Sequence, residues 1–272
     1  MDETRGKSDV EGVGASAEVL TQALELALKI PGVRVDRVAF LREAFPSMTA
    51  RQVDEGVPAD CFDIDILDKA ARDVVSKGTL ETTLASIALA APSVIPAAGT
   101  AAKLALIAPD LAQNLGVCIN LAQKISYIYG VREFDVNSEE QVDKLMLLAA
   151  LATMFGGAAA APVLRNLGLL YGKKLSTAVS KSAVTKLMPT AWKWLITPLA
   201  KAIAPKAAPK ATVVQAAKFI PFGIGVGIAG VVTWFTTSQA GKRLIEEMRK
   251  PLVDPGVFER DQEEIEILIA ES

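Results

Sequence analysis

Apolar residues recur with helical spacing along the first third of the chain, at positions i, i+3, i+4 and i+7. This periodicity predicts four amphipathic helices, the first ending at Pro31-Gly32 and the last at Gly78, because glycine and proline commonly follow a helix. Residues 1–14, which come before them, are polar and contain glycine, as is typical of a disordered tail. The predicted helices cover residues 15–30, 36–44, 49–55 and 64–77.

Three uncharged runs follow, and each has the length of a membrane span, about 20 residues for a bilayer core of about 30 Å. They are rich in alanine, glycine, serine and threonine, and each contains proline. Small residues also let two helices approach closely inside a protein core. Two interpretations therefore stay open, namely insertion into a membrane or burial as helical hairpins of a bundle. The uncharged runs are residues 82–102, 145–164 and 219–241.

These patterns predict an all-α fold, an apolar helical bundle with Ala/Gly-rich helical hairpins and short N-terminal amphipathic helices. The composition agrees, since 51% of residues are hydrophobic but only 6% are aromatic, which suits closely packed helices. We expect a single helical domain preceded by the disordered tail and followed by an acidic tail. The domain covers 15–250, divided into an amphipathic part at 15–78 and an apolar core at 79–250, and the acidic tail covers 251–272.

The composition also limits the chemistry, because the chain contains no histidine. Histidine metal ligands, Ser-His-Asp and Cys-His nucleophiles and histidine proton shuttles are thereby excluded. No motif indicates carboxylate, lysine or tyrosine catalysis, nor a metal or cofactor site. We therefore predict a non-enzymatic protein without a cofactor.

The net charge of −2 is the sum of two opposed regions. Residues 144–245, the acid-free segment, contain 13 basic and no acidic residues, whereas the rest of the chain contains 16 basic and 31 acidic residues. Such blocks indicate attraction to an anionic surface or to the acidic part of the same chain. Simple solvation of each outer face is the other explanation.

Within the acid-free segment, residues 173–218 combine lysine, proline and tryptophan. Three of the lysines are spaced by 7 and 8 residues, on one helical stripe, and two tryptophans flank the middle one. This combination is typical of a helix in a membrane interface, although a kinked surface connection with extended lysines also fits. The predicted contacts with anionic lipid are Lys173, Lys174, Lys186, Trp192, Lys193, Trp194 and Lys201.

Three blocks of the sequence together resemble the EcsC-like family of bacterial proteins. They are ALELALKIPGVRVDRVAFLREAF at 23–45, the apolar block ending in Tyr-Gly at 95–130, and KFIPFGIGVGIAGVVTWFTTSQAGKRL at 218–244. Their order and spacing carry the resemblance, which implies an all-helical, apolar, membrane-associated protein without a settled biochemical activity. No catalytic role comes with the matching positions. These are Pro96, Asp110, Tyr129, Gly130, Pro221, Gly241 and Arg243.

Asp110 is the one acidic residue between positions 82 and 131. Because an unpaired buried carboxylate is costly, we expect it to cap a helix that begins near Leu111. A functional polar site inside the bundle, with Lys103 or Lys124 as partner, is the alternative.

Together these features predict a membrane-associated accessory protein whose basic, apolar half meets anionic lipid or a membrane-protein partner. The alternative is a soluble helical bundle with an apolar cavity for a lipid-like ligand. We expect a cytoplasmic protein, peripheral or integral at the inner membrane, because no secretory signal is recognised and the two cysteines form no disulfide framework. A nucleic-acid partner is not expected, since no fold signature of that kind accompanies the lysines.

Overall fold

The computed structural model describes residues 21–89, 100–131, 135–172, 185–194, 224–254 and 256–270. Their regular structure is entirely helical, which confirms the predicted all-α helical bundle. The α-helices are α1 (described over 21–28), α2 (Arg37–Ala44), α3 (Ala50–Glu55), α4 (Ile64–Leu89), α5 (Thr100–Ile128), α6 (Gln141–Met154), α7 (Ala161–Gly172), α8 (described over 185–194), α9 (Ile224–Val253) and α10 (Val257–Ala270).

The two short N-terminal helices begin where their capping residues place them. The Asp36 carboxylate accepts a hydrogen bond from the Ala39 N–H at 2.9 Å, which starts α2. Thr49 and Gln52 form a reciprocal capping box at the start of α3. Both predicted helices are confirmed, because their signals are local to the sequence.

The loop that joins α1 to α2 is fixed to α5 by two side-chain amides. The buried Gln123 amide accepts from the Val35 N–H at 3.1 Å and donates to the Val33 carbonyl at 2.8 Å. Asn120 donates to the Gly32 carbonyl at 2.8 Å. These bonds satisfy the loop's backbone groups and set the position of α1 against the bundle.

Helix α4 does not end at Gly78 as predicted but continues to Leu89. A Cβ on Gly78 would lie 2.8 Å from Leu121 Cδ2, so this glycine permits close packing of α4 on α5. A similar contact joins α4 to α9, where a Cβ on Gly241 would lie 2.5 Å from Val75 Cγ2. Tertiary packing, rather than helix termination, explains both glycines.

The uncharged run at 145–164 forms two helices instead of one. Helix α6 ends at Met154, Gly156 adopts a left-handed backbone angle of +93°, and α7 begins at Ala161. The side chains of residues 145–154 are all buried, and α6 packs against α7. This run is therefore a buried helical hairpin, the second of the two interpretations. Among the described residues, no helix is both long and apolar enough to span a membrane.

The predicted helix start at Asp110 is wrong, because α5 begins at Thr100 and passes through Pro109 and Asp110 without ending. Proline inside a helix costs about 3 kcal/mol, a penalty that the packing of a long apolar helix can offset. The Asp110 side chain lies outside the described part of the structure. Asp110 is therefore an interior position of α5 and not its N-cap.

Candidate functional site

Helix α8 contains the four predicted lipid contacts that the structure describes. Lys186 and Lys193 are exposed, while Trp192 and Trp194 are half-buried and pack against the core. The two tryptophans therefore also contribute to the packing of the core, while contact of all four residues with lipid stays a prediction. The remaining three, Lys173, Lys174 and Lys201, lie outside the described residues.

The two exposed lysines of α8 share one face of the helix. They are 7 residues apart, which corresponds to two helical turns. Neither forms an ion pair with any residue that the structure describes. This face consequently presents two positive charges that no described residue neutralises.

A groove of about 580 Å³ lies between α1, α6, α8 and the segment that leads into α6. Trp192 and Met188 form its α8 side, and leucines of α1 and α6 form the opposite wall. The volume lies within the range of about 300–1,000 Å³ that is typical of ligand sites. The apolar lining residues are Leu24, Leu28, Val136, Leu147, Leu148, Met188 and Trp192.

The rim of this groove carries both signs of charge. Lys29 and Lys144 are exposed there, as are Glu25 and Glu139, and no ion pair neutralises these groups within the described ranges. The rim is therefore neutral overall but offers both cationic and anionic contacts. Such a rim fits the head group of a zwitterionic amphiphile better than that of a simple anion.

A second polar region surrounds Arg165, which is buried with 7% of its side chain exposed. Its Nε donates to Asp261 Oδ2 at 2.7 Å, and its two terminal nitrogens donate to Asp261 and Glu247. Burial lowers the pKa of Arg165, but the hydrogen bond and charge of Asp261 and the charge of Glu247 outweigh it, so the pKa is raised. The guanidinium is therefore charged and fully engaged, and it attaches α10 to α7.

Tyr129 and Asp68 form another buried polar contact. The Tyr129 hydroxyl donates to Asp68 Oδ1 at 2.6 Å, and Arg249 Nε forms an ion pair with Asp68 Oδ2 at 2.9 Å. Burial, and then the hydrogen bond and charge of Asp68, raise the pKa of Tyr129. The hydroxyl is therefore a hydrogen-bond donor and is not poised as a base.

A cavity of about 230 Å³ separates these two polar clusters, with Tyr129, Arg165 and Phe258 in its lining. The Tyr129 hydroxyl and all three nitrogens of Arg165 already bond to carboxylates of the protein. These groups are thus engaged in holding helices together, and the larger groove is the better candidate for a ligand.

The family-motif positions have packing and capping roles. Gly130, with a backbone φ of +112°, ends α5, while Gly241 lets α9 approach α4. Arg243 reaches from α9 to donate to the Met154 carbonyl at the end of α6, at 3.4 Å. None of these residues lines the groove. Two further motif positions, Pro96 and Pro221, lie outside the described residues.

The charge pattern allowed attraction between the acid-free segment and the acidic part of the chain, but it did not single out the ion cluster of Arg165, Glu247 and Asp261. Two signals were present, because Arg165 directly follows a run of 20 uncharged residues and Asp261 stands four residues before Ile265 on the apolar stripe of the last helix. A charge at a predicted core position calls for a partner. The partner itself was not predictable, since 96 positions separate Arg165 from Asp261.

Comparison with known proteins identifies no relative: no family model, no curated protein and no solved structure matches this chain.

Proposed function

We propose that the protein is a non-enzymatic lipid-binding protein that holds one single-chain amphiphile in the groove between α1, α6 and α8. The observation that carries this proposal is the apolar groove of about 580 Å³ beside Trp192, with charges of both signs on its rim. The head group would carry an anionic and a cationic group, such as a phosphate and an ammonium.

The two parts of the groove contribute differently to binding. Each methylene that leaves water for the apolar walls contributes about 0.8 kcal/mol. The exposed rim charges contribute at most about 1 kcal/mol each, because water screens them. The acyl chain therefore supplies most of the affinity, while Lys144 and Glu139 orient the head group.

Titration with dodecylphosphocholine below its micelle concentration tests this proposal. We expect saturable binding of one molecule, seen by calorimetry and as a change in tryptophan fluorescence. Leu28→Ser, on the groove wall, should weaken binding by roughly tenfold, since a buried leucine contributes about 1.5–3 kcal/mol.

Leu26→Ser is the matched control, because Leu26 lies on the same helix with 43% of its surface exposed and does not line the groove. It should bind as the unmodified protein does. Equal losses in both variants would remove the groove as the site. Absence of saturable binding to the folded, unmodified protein would refute the proposed function.

A second candidate function is attachment to an anionic membrane surface, favoured by the two exposed lysines of α8, for which the described part of the chain provides no ion pair. It agrees with what the EcsC-like resemblance implies, and with a location at the inner membrane. Sedimentation with phosphatidylcholine vesicles that contain phosphatidylserine, compared with vesicles that lack it, tests this candidate. We expect binding only to the anionic vesicles, with affinity that falls as salt is added. Equal sedimentation with both kinds of vesicle would contradict it.

A further inference from the structure

Helix α8 contributes both to the groove of the proposed function and to the exposed lysine face of the second candidate function. Met188 and Trp192, one helical turn apart, line the groove. Leu187 and Ala191 are fully buried and fix the helix to the core. The exposed lysine face lies on the same ten-residue stretch, so the groove and the positive face are held at a constant distance.

The sequence on both sides of α8 contains no acidic residue near its two exposed lysines. The acid-free segment extends for 42 residues before Lys186 and for 52 residues after Lys193. No carboxylate of the neighbouring sequence is therefore available to neutralise these lysines at i+3 or i+4. Arg165, in the same segment, has two carboxylate partners, the buried Asp261 and the half-buried Glu247, whereas the α8 lysines have none among the described residues.

From this arrangement, which rests on the proposed lipid-binding function, we infer that α8 is the portal through which the groove is loaded from an anionic bilayer. The lysine face contacts the anionic headgroups and thereby holds the groove beside the membrane surface. The amphiphile then passes from the bilayer to the Trp192 wall without full exposure of its acyl chain to water. The step breaks no covalent bond and needs no cofactor.

The portal and the binding site should affect different quantities, namely the rate of uptake from a membrane and the affinity for the amphiphile. Lys186 and Lys193 should control how quickly the groove takes an amphiphile from a membrane, but not how tightly it holds one already dissolved in water. Groove residues such as Leu28 should affect both. Two measurements on the same variants therefore separate the portal from the site.

The experiment uses the full chain with pyrene-labelled lysophosphatidylcholine as the probe, carried by phosphatidylcholine vesicles with or without phosphatidylserine. The loss of pyrene excimer emission reports extraction. We expect the unmodified protein to extract the probe faster from the anionic vesicles than from the neutral ones. In Lys186→Glu/Lys193→Glu, the rate of extraction from the anionic vesicles should fall by about tenfold or more, since each lysine near an anionic surface contributes several-fold in binding. Binding of dissolved dodecylphosphocholine should stay unchanged in this variant.

Arg42→Glu/Lys69→Glu is the matched control, because both residues are exposed, lie outside the acid-free segment and undergo the same reversal of charge. It should extract the probe at the rate of the unmodified protein. The portal is overturned if extraction depends neither on anionic lipid nor on the α8 lysines, or if the α8 variant also loses binding of the dissolved amphiphile. The proposed function survives both of those outcomes. It fails if the unmodified protein does not bind the dissolved amphiphile, or if Leu28→Ser and Leu26→Ser lose binding equally.

Discussion

Arg165 and Lys193 belong to the same acid-free segment, yet their surroundings are opposite. Arg165 is buried and bonds to Asp261 and Glu247, two carboxylates that come from beyond the segment. Lys193 is exposed and forms no ion pair within the described residues. Basic residues of the acid-free segment therefore have two different roles: Arg165 forms an ion pair inside the protein, and Lys193 presents its charge at the surface.

This difference between Arg165 and Lys193 cannot be seen in the net charge of −2, which adds the charges of both regions together. The acidic C-terminal region supplies Asp261 to a site where a lone guanidinium would be very costly, and this contact places α10 on α7. The α8 lysines remain in water, where an unpaired charge costs little. Within the acid-free segment, the buried Arg165 has acidic partners, whereas the exposed α8 lysines have none among the described residues.

The largest effect is expected from Arg165→Met, which leaves Asp261 buried, at 2% exposure, without its counter-charge. Loss of one partner of a buried ion pair costs about 3–5 kcal/mol in the free energy of unfolding. Urea denaturation measures this change. Arg165→Met/Asp261→Leu should recover most of it, because an apolar replacement of the whole pair removes the unpaired charge.

Arg260→Ala is the control for this prediction, since Arg260 pairs with Asp254 on the surface. Exposed pairs contribute about 0–1 kcal/mol. If Arg165→Met were as mild as Arg260→Ala, the buried cluster would not hold α10 in place.

Tyr129→Phe tests the second buried cluster. It removes the hydrogen bond to Asp68 and leaves that carboxylate with one partner fewer, which should cost about 1.5–3 kcal/mol in the free energy of unfolding. A double-mutant cycle with Asp68→Ala checks the assignment. The combined loss should be smaller than the sum of the single losses, whereas strict additivity would show that the contact contributes nothing.

Alkaline pH should weaken the fold through Cys118 first. Burial raises the pKa of this thiol to about 12, above its unfolded value of about 8.5. The folded state therefore keeps a proton that the unfolded state loses, so stability is full below pH about 8.5 and falls towards pH 12, by up to about 1.4 kcal/mol per pH unit. Unfolding measured against pH in Cys118→Ala should lack this decline.

Tyr129 adds a second alkaline loss, because its pKa is also raised in the folded state. Its contribution is complete below pH about 10, the unfolded value, and diminishes above it. In a Cys118→Ala background, Tyr129→Phe should flatten the remaining slope above pH about 10. An unchanged slope would assign the loss to other groups.

Arg243→Ala tests an exposed basic residue that donates a hydrogen bond to the backbone of another helix. Its hydrogen bond to the Met154 carbonyl is long, at 3.4 Å, and helps to satisfy the end of α6. We expect a loss of about 0.3–1 kcal/mol, which thermal denaturation can measure. Lys242→Ala, an exposed neighbour, should show a smaller effect, and a larger one would contradict the capping role.

The sequence predicted those parts of the structure whose signals are local. Helical periodicity predicted helices at 36–44 and 49–55, each within one residue of the observed start of α2 or α3, and it also gave the all-α class. Gly78 was assigned as a helix end and Asp110 as a helix start, yet each lies inside a helix that tertiary packing continues past the local signal. Leu121 of α5 against Gly78 is such a contact, and no local pattern contains it.

The groove was only partly predictable. Trp192 was singled out, but as a contact with anionic lipid and not as part of a groove. The groove requires α1, α6 and α8 to meet, and residues such as Leu28 and Leu148 are far apart in sequence. Periodicity assigns a residue to the apolar side of its helix, but it does not specify which other helix that side faces.

The smallest effect on folding is expected from Lys186→Glu/Lys193→Glu, the exposed counterpart of Arg165→Met. Substitutions at exposed positions without partners usually change the free energy of unfolding by less than about 0.5 kcal/mol each. Urea denaturation should therefore find nearly unchanged stability, while sedimentation with phosphatidylserine-containing vesicles should decrease strongly. A large loss of stability would mean that these lysines have structural partners and stabilise the fold, as Arg165 does. Unchanged stability together with unchanged vesicle binding would instead assign them to solvation alone, because a reversal of charge in contact with an anionic surface must weaken binding.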